Sequence, residues 1–177
     1  MSDVQASSDI VVPEPIQSVV VGTDLIGVDT GVVASSVLEV PDAADDFANF
    51  VVMVVGAVTF ELPSTNPIVE LIEESIPYRS MTFPVGLTEA QSLALAIARI
   101  DGVRPSTHEL FTQFLVASRS DIVAVRIVKR DRGVLFAELD LVGPNGRTVL
   151  DCRPSDALIL AFRQGVVAPI LCDDVLL

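Results

Sequence analysis

The sequence predicts an α+β domain of the broad α/β class: a single compact domain with a mixed, mostly antiparallel sheet and about three helices. Three observations lead there. Runs rich in β-branched residues begin at Phe50, three later segments carry the start signals of helices, and a turn sequence separates two neighbouring strand candidates. With 177 residues, 50% of them hydrophobic, the chain is long enough to bury roughly two thirds of its unfolded surface.

The strand candidates follow from composition and from turn residues. The run FVVMVVGAVTF over Phe50 to Phe60 is typical of a central strand, and its internal Gly56 suggests a bulge or a close approach of another chain segment. The turn sequence Gly143-Pro144-Asn145-Gly146 predicts an antiparallel hairpin. The remaining strands are predicted at Ile68 to Ile72, Arg79 to Val85, Ile122 to Lys129, Val134 to Val142, Arg147 to Asp151, and near Ala168 to Leu171.

Three helices have readable starts. Thr88 with Gln91 has the spacing of a capping box, and the helix that follows is expected to end near Gly102. Ser106 with Glu109 has the same spacing and predicts the second helix.

The third helix is predicted to be capped by Ser155 or Asp156 and to stop at Gly165. Residues 157–162 are apolar on every side, so this helix is expected to be buried in the core rather than laid on a surface.

The charges divide the chain. Residues 1–78 hold 13 acidic and no basic residues, whereas residues 79–177 hold 11 of each, and ten of those eleven cations are arginine. We interpret residues 1–49 as an acidic N-terminal extension that is partly mobile, with a strand or two between Ile16 and Val40. The folded domain is predicted over residues 50–177.

The N-terminus lacks the basic and apolar regions of a secretory signal. The longest apolar run, Phe50 to Phe60, has 11 residues, compared with the ~20 that a membrane helix requires. A soluble, cytoplasmic protein without a membrane partner is therefore expected. Cys152 and Cys172 form no CxxC pair, which favours two reduced, mostly buried thiols over a zinc site.

The local echo RPST at 104–107 and RPSD at 153–156 places an arginine two residues before a serine that can start a helix. A helix N-terminus and a guanidinium favour the same ligand, a phosphate or another oxyanion. Carboxylates in the same first turns, Glu109 and Asp156, would also satisfy these helix ends. The residues alone leave both interpretations open: two phosphate sites or two structural caps.

His108 is the only histidine and the only side chain whose ordinary pKa is near neutrality, so acid/base chemistry at physiological pH would involve it first. A structural histidine at the edge of an apolar helix face is the alternative. Hard oxygen ligands suit Mg²⁺ or Mn²⁺. The carboxylates that could supply them, with solvated helix caps as the alternative, are Glu89, Glu109, Asp151 and Asp156.

Three stretches resemble the signature segments of the bifunctional nuclease family and come in its order. They are Gly86 to Ala90 (GLTEA), Arg104 to Leu110 (RPSTHEL) and Asp151 to Ala157 (DCRPSDA). The resemblance covers residues 50–177, and Glu109 stands where the family usually has aspartate. It implies a compact, dimeric α/β domain that hydrolyses DNA and RNA, with the polar residues of the three segments gathered in one place.

Under that resemblance we predict metal-assisted phosphodiester hydrolysis, with nucleic acid as substrate and a homodimer as the assembly. The alternatives are a non-catalytic regulatory or binding module for an anionic ligand or a partner protein, and a purely structural cluster inside a dimer. The predicted catalytic residues are His108, Arg104, Arg153 and Glu109; Asp156, Asp151 and Glu89 would bind Mg²⁺ or Mn²⁺; Ser106, Thr107 and Ser155 would bind substrate.

Overall fold

The computed structural model describes residues 48–60 and 66–177. The strands predicted between Ile16 and Val40 lie outside the described residues, and the division of the chain near residue 50 stays a prediction. In chain order the elements are β1 (Phe50–Thr59), β2 (Ile68–Glu73), β3 (Ser80–Pro84), α1 (Leu87–Ile97), α2 (Thr107–Ala117), β4 (Asp121–Asp131), β5 (Val134–Gly143), β6 (Gly146–Cys152), α3 (Pro154–Arg163) and β7 (Ile170–Asp173), followed by a short 3₁₀ turn at Asp174–Leu176.

The seven strands form one sheet in the order β3-β2-β1-β7-β4-β5-β6. Every neighbouring pair is antiparallel except β4 and β7, which are parallel. The predicted α+β domain with a mixed, mostly antiparallel sheet and three helices is confirmed for the described residues. The last strand, β7, joins the two halves of the sheet, because it lies between β1 and β4.

Gly56 lies at the irregularity that the sequence suggested. The register between β1 and β2 shifts between Val55 and Ala57, so Gly56 forms a bulge. A Cβ at this position would lie 2.4 Å from the Ile72 Cδ1 atom. The strand can therefore accept only glycine here unless Ile72 moves.

Two tight hairpins connect the consecutive strands β4, β5 and β6. The predicted β5–β6 hairpin is confirmed, with Gly143 paired to Gly146. A second, unpredicted hairpin joins β4 to β5 through Arg132 and Gly133, whose φ angles are 49° and 83°. Two consecutive positive φ angles are typical of a type I′ turn, whose twist matches that of the flanking strands. This turn carries basic residues to one end of the sheet.

The first helix begins and ends differently from the prediction. Its N-cap is Gly86, with no side-chain hydrogen bond, so the capping box predicted at Thr88 is wrong: Thr88 already lies in the first helical turn. The helix does not reach Gly102. Arg99 takes a left-handed φ of 55°, and its N–H donates to the Ala96 carbonyl, which ends the helix as a Schellman motif does.

The second helix confirms its capping box. Ser106 is the N-cap, its hydroxyl accepts from the Glu109 N–H, and the Glu109 carboxylate accepts from the Ser106 N–H. The helix ends at an arginine like the first, because Arg119 has a φ of 55°. Both helices therefore end at a residue type that seldom adopts this conformation.

The third helix begins earlier than predicted and is as buried as predicted. Its N-cap is Arg153 and Pro154 occupies the first helical position, where a missing N–H costs nothing. The prediction that Ser155 or Asp156 caps the helix is therefore wrong. Seven of its ten residues are buried, from Pro154 to Ala161 with the exception of Asp156, and α3 packs against α1, α2, β4 and β5. This helix fixes the position of the candidate site.

No helix in the described part of the chain combines the length and the apolar character that a membrane span needs.

Candidate functional site

A charged cluster lies where the first turns of the three helices meet. The Arg153 guanidinium donates two hydrogen bonds to Asp156, from Nε to Oδ2 at 2.8 Å and from Nη2 to Oδ1 at 2.9 Å. Its Nη1 donates to Glu89 Oε1 at 3.1 Å. One arginine at the start of α3 thus binds carboxylates from α3 and α1, in the bidentate geometry that suits a guanidinium.

His108 extends the cluster to α2. Its Nε2 lies 3.2 Å from Asp156 Oδ1, so Asp156 bridges the histidine and the arginine. The structure therefore brings together Glu89, His108, Arg153 and Asp156. The histidine and the two carboxylates are half-buried, whereas 65% of the Arg153 side chain is exposed. Solvent and a ligand can both reach the guanidinium.

The ion pair between Asp156 and Arg153 fixes the charge of both side chains. Burial raises the pKa of Asp156, but hydrogen bonds from Arg153 and His108 outweigh burial and hold that pKa below its ordinary value. The hydrogen bonds to Asp156 raise the pKa of Arg153 above its ordinary value. At neutral pH the cluster therefore contains an anionic Asp156 and a cationic Arg153, and Asp156 can only accept hydrogen bonds from the His108 ring.

Glu109 belongs to a second network. Its carboxylate accepts from the N–H groups of Gly102 at 3.0 Å and Ser106 at 2.6 Å, and Arg163 Nη1 lies 3.1 Å from Oε1. Hydrogen bonds from the Ser106 and Gly102 backbone lower the pKa of Glu109 to about 2. These contacts make Glu109 a capping carboxylate that ties the start of α2 to the end of α3.

Arg163 is a residue that the sequence analysis missed. Its side chain is 7% exposed and pairs with Glu109 and Asp101, and it also donates to the Ile100 carbonyl. The available signal was a cation in the last turn of a helix expected to be buried, because a buried charge needs partners.

The first Arg-Pro-Ser copy forms a helix cap, one of the two interpretations that the sequence left open. Arg104 is exposed, and no hydrogen bond or ion pair joins it to any residue of the described ranges. Ser106 is used as the N-cap of α2, and Thr107 is the exposed first residue of that helix. Only His108 from this segment contacts the charged cluster.

Asp151 lies on β6 and is exposed, paired in register with Glu138 of β5. Ser155 has a different environment. It is 7% exposed and lines a cavity beside the cluster, and its hydroxyl forms no hydrogen bond with another described residue. Asp151 and Ser155 were both predicted to belong to the site. The structure places Ser155 beside the charged cluster.

The cavity has a volume of about 280 Å³. Its walls are residues 83–86 before α1, residues 133–135 at the β4–β5 turn and residues 153–155 at the start of α3, together with Glu89. Glu89 and Arg153 therefore belong both to the charged cluster and to the cavity wall. The cavity and the cluster form one continuous region, and we call it the candidate site.

The predicted metal ligands do not form a metal site as they are arranged. Within residues 48–60 and 66–177, no group of three or more His, Cys, Asp or Glu side chains is placed to hold a metal ion. The Asp156 and Glu89 carboxylates both bind the Arg153 guanidinium, which takes the position between them. The residues therefore do not fit a divalent cation in this arrangement.

The family model of the bifunctional nuclease domain matches residues 71–177. Two proteins of Mycobacterium tuberculosis, from strains CDC 1551 / Oshkosh and ATCC 25618 / H37Rv and both named only as uncharacterised, are 31% identical over 126 residues. That match covers 71% of this chain and 73% of each relative. The residues matched by the family model include all three signature segments and every residue of the charged cluster. The chain therefore belongs to the bifunctional nuclease domain family.

Proposed function

We propose that this protein hydrolyses phosphodiester bonds of DNA or RNA at the charged cluster. The observation that carries the proposal is the contact between His108 and Asp156, beside an exposed arginine. A histidine oriented by a carboxylate is an arrangement that serves general acid/base catalysis. An exposed guanidinium beside it supplies the positive charge that a phosphate ester needs.

His108 is the proposed proton carrier. Because Asp156 binds Nε2, the Nδ1 atom is the ring nitrogen left to exchange protons with water or substrate. A water oxygen attacks phosphorus while His108 takes its proton, the bond from phosphorus to the leaving oxygen breaks, and the imidazolium returns the proton to that oxygen. Asp156 stabilises the imidazolium that forms between these two transfers.

Arg153 is the proposed phosphate ligand. Its guanidinium is anchored by Asp156 and Glu89, which fixes its position, and most of its side chain is exposed to solvent. A phosphate that approaches from that side meets a positive charge next to the His108 ring. The developing negative charge of the transition state is stabilised by the same group. We give Glu109 an architectural role, because its carboxylate caps α2 and binds Arg163.

The family resemblance predicts dependence on Mg²⁺ or Mn²⁺, and the homodimer and the cytoplasmic location likewise stay predictions. We assign no step to a metal ion, because the carboxylates that would bind it are engaged by Arg153. A chelator titration of purified protein, with Mg²⁺ and Mn²⁺ added back separately, decides the metal requirement. Loss of cleavage with chelator and recovery with one ion would show that Arg153 releases its carboxylates in the active state.

A non-catalytic binding module is the second candidate, and one observation favours it. The carboxylates of Asp156 and Glu89 already satisfy Arg153 within the folded chain, as expected for a stable recognition surface. Such a module would bind an anionic ligand or partner through the exposed side of Arg153 without breaking a bond. Binding that survives His108→Ala, in the absence of cleavage by the unmodified protein, would support this candidate.

The test of hydrolysis uses an end-labelled oligonucleotide and purified protein. We expect His108→Ala to lower the cleavage rate by about 10²–10⁴-fold, the usual contribution of general acid/base catalysis. Arg153→Ala should also lower cleavage strongly, whereas the matched control Arg119→Ala, which removes an exposed arginine at the far end of α2, should not. Cleavage that survives His108→Ala unchanged would indicate a contaminant or another site.

A further inference from the structure

We propose that the cavity beside the cluster binds one unpaired nucleobase, so that the substrate is single-stranded nucleic acid. The proposal rests on the proposed function and names its substrate class. It has three supports: the size and walls of the cavity, a serine hydroxyl group that lines it without a protein partner, and two exposed arginines in the hairpin that forms one of its walls.

The size of the cavity suits a single base. Its volume of about 280 Å³ lies just below the range of roughly 300–1,000 Å³ that holds drug-sized ligands. The walls are apolar on two sides, with Phe83 and Pro84 from the β3 end and Val134 and Leu135 from β5. Apolar walls favour the faces of an unstacked base, and Phe83 supplies the aromatic ring on which bases stack in single-strand recognition.

The polar groups of the cavity lie at the start of α3. Ser155 is 7% exposed and lines the cavity, and its hydroxyl group has no hydrogen-bond partner among the described residues. This hydroxyl group is therefore available to donate a hydrogen bond to a ligand in the cavity or to accept one from it. Glu89 on the same wall offers carboxylate oxygens. One donor and several acceptors are thus available to the edge of a base.

The hairpin that forms one wall of the cavity carries positive charge. Gly133 and Val134 line the cavity, and the preceding residues of the same hairpin include Arg130 and Arg132, both exposed. Neither arginine side chain has a hydrogen bond or ion pair with a residue that the structure describes, and Asp131 lies between them in the chain. Exposed arginines in this hairpin can bind the phosphates of neighbouring nucleotides.

These features favour a single strand over a duplex. A base inside a duplex must be unpaired and unstacked before it can enter a cavity, at a cost of a few kcal/mol, whereas a base in a single strand is already accessible. The base would occupy the cavity, Arg153 at its wall would hold the adjoining phosphate next to His108, and Arg130 and Arg132 would hold phosphates further along the strand.

The test measures binding of a labelled ten-nucleotide strand, made as DNA and as RNA, and of the corresponding duplexes, by fluorescence anisotropy. Val134→Trp places a large side chain at the cavity, and Val142→Trp makes the same exchange at the opposite end of β5. We expect the unmodified protein to prefer the single strand, and Val134→Trp to weaken single-strand binding by about tenfold or more, equal to about 1.4 kcal/mol. Val142→Trp should bind like the unmodified protein.

Two further variants separate the contribution of the cavity to binding from that of the phosphate contacts. Ser155→Ala should weaken single-strand binding without added bulk, which guards against a folding defect in Val134→Trp. The pair Arg130→Gln and Arg132→Gln should reduce the slope of log affinity against log salt by about 1.4, because each lost phosphate contact accounts for about 0.7 in a single strand. Val134→Trp should leave that slope unchanged.

The outcomes distinguish this proposal from the proposed function. Equal binding of strand and duplex, or equal binding by the two tryptophan variants, overturns the base cavity, while cleavage that depends on His108 would still support hydrolysis. Single-strand binding that is sensitive to Val134→Trp without any cleavage supports the cavity and overturns hydrolysis. No binding of any oligonucleotide by the unmodified protein overturns the base cavity.

Discussion

Glu109→Gln is the substitution whose effect the structure defines most closely. The Glu109 carboxylate accepts two backbone N–H groups and pairs with Arg163, and the Ser106 and Gly102 backbone bonds lower its pKa from 4.5 to about 2. Glutamine keeps the shape and one acceptor oxygen but removes the charge. The start of α2 and the end of α3 should both lose stability.

The magnitude follows from proton linkage. A carboxyl group with a pKa of 4.5 when unfolded and about 2 when folded contributes about 3 kcal/mol to the free energy of unfolding at pH 7. Because the folded pKa is the lower one, this contribution is complete above pH 4.5 and is lost as the pH falls towards 2. At pH 3 about 1.4 kcal/mol remains by the same relation.

Urea unfolding at pH 7 and pH 3 measures both values. Glu109→Gln should be less stable than the unmodified protein by up to about 3 kcal/mol at pH 7, and the difference should fall to about half or less at pH 3. The control is Glu74→Gln, an exposed glutamate after β2, expected to change stability by less than about 0.5 kcal/mol. A pH-independent difference, or none at pH 7, would refute the reasoning.

Four other predictions concern stability, thiol chemistry and domain organisation. Arg153→Ala should change the free energy of unfolding by about 1 kcal/mol or less, because the side chain is exposed; a much larger loss in urea unfolding would make the cluster a structural ion pair. Arg119→Gly should raise stability by up to about 1 kcal/mol, since glycine adopts the left-handed conformation without strain, and an unchanged or lower unfolding midpoint would contradict this. Burial raises the pKa of Cys152 to about 12 and that of Cys172 to about 11, so both thiols should react with a colorimetric thiol reagent at pH 8 only after unfolding. Removal of residues 1–49 should leave a cooperatively folding domain, and aggregation of the shortened protein would show that the extension contributes to the core.

The parts of the fold that could be predicted depend on local patterns. The β5–β6 hairpin followed from its turn residues, the burial of α3 from a helix without a polar face, and the capping box of α2 from the spacing of Ser106 and Glu109. The position of β7 between β1 and β4 could not be predicted, because the order of strands depends on contacts between distant segments.

The predictions of the helix ends were wrong for reasons that the structure identifies. At α1 the structure uses Gly86 without a side-chain cap, and at α3 it uses Pro154 at the first position, so hydroxyl-based rules placed both starts too late. Arg99 and Arg119 end their helices in a conformation usually taken by glycine. Tertiary contacts outweigh the local preference at such positions; Arg99, for example, donates to the Gln164 carbonyl.

The candidate site was predictable in part. Arg104, His108, Arg153 and Asp156 were expected in one neighbourhood, and hydrogen bonds join His108, Arg153 and Asp156 but not Arg104. The two Arg-Pro-Ser copies differ because Ser106 caps its helix, whereas the second copy begins its helix at the proline. This single shift in register turns Arg153 into an N-cap residue that faces Asp156 and leaves Arg104 in the preceding loop.

The burial of α3 also determines which parts of the candidate site can move. Its backbone amides are enclosed by α1, α2, β4 and β5, so they should exchange with deuterium only when the whole domain unfolds. The N–H groups of Ser155 and Asp156 in its first turn have no partner within the helix, so this protection is expected from Ala157 onward, whose N–H donates to the Arg153 carbonyl. Backbone adjustment to a ligand is then expected in the exposed β4–β5 turn, where amide exchange in the native state should be fast and should slow when a strand binds.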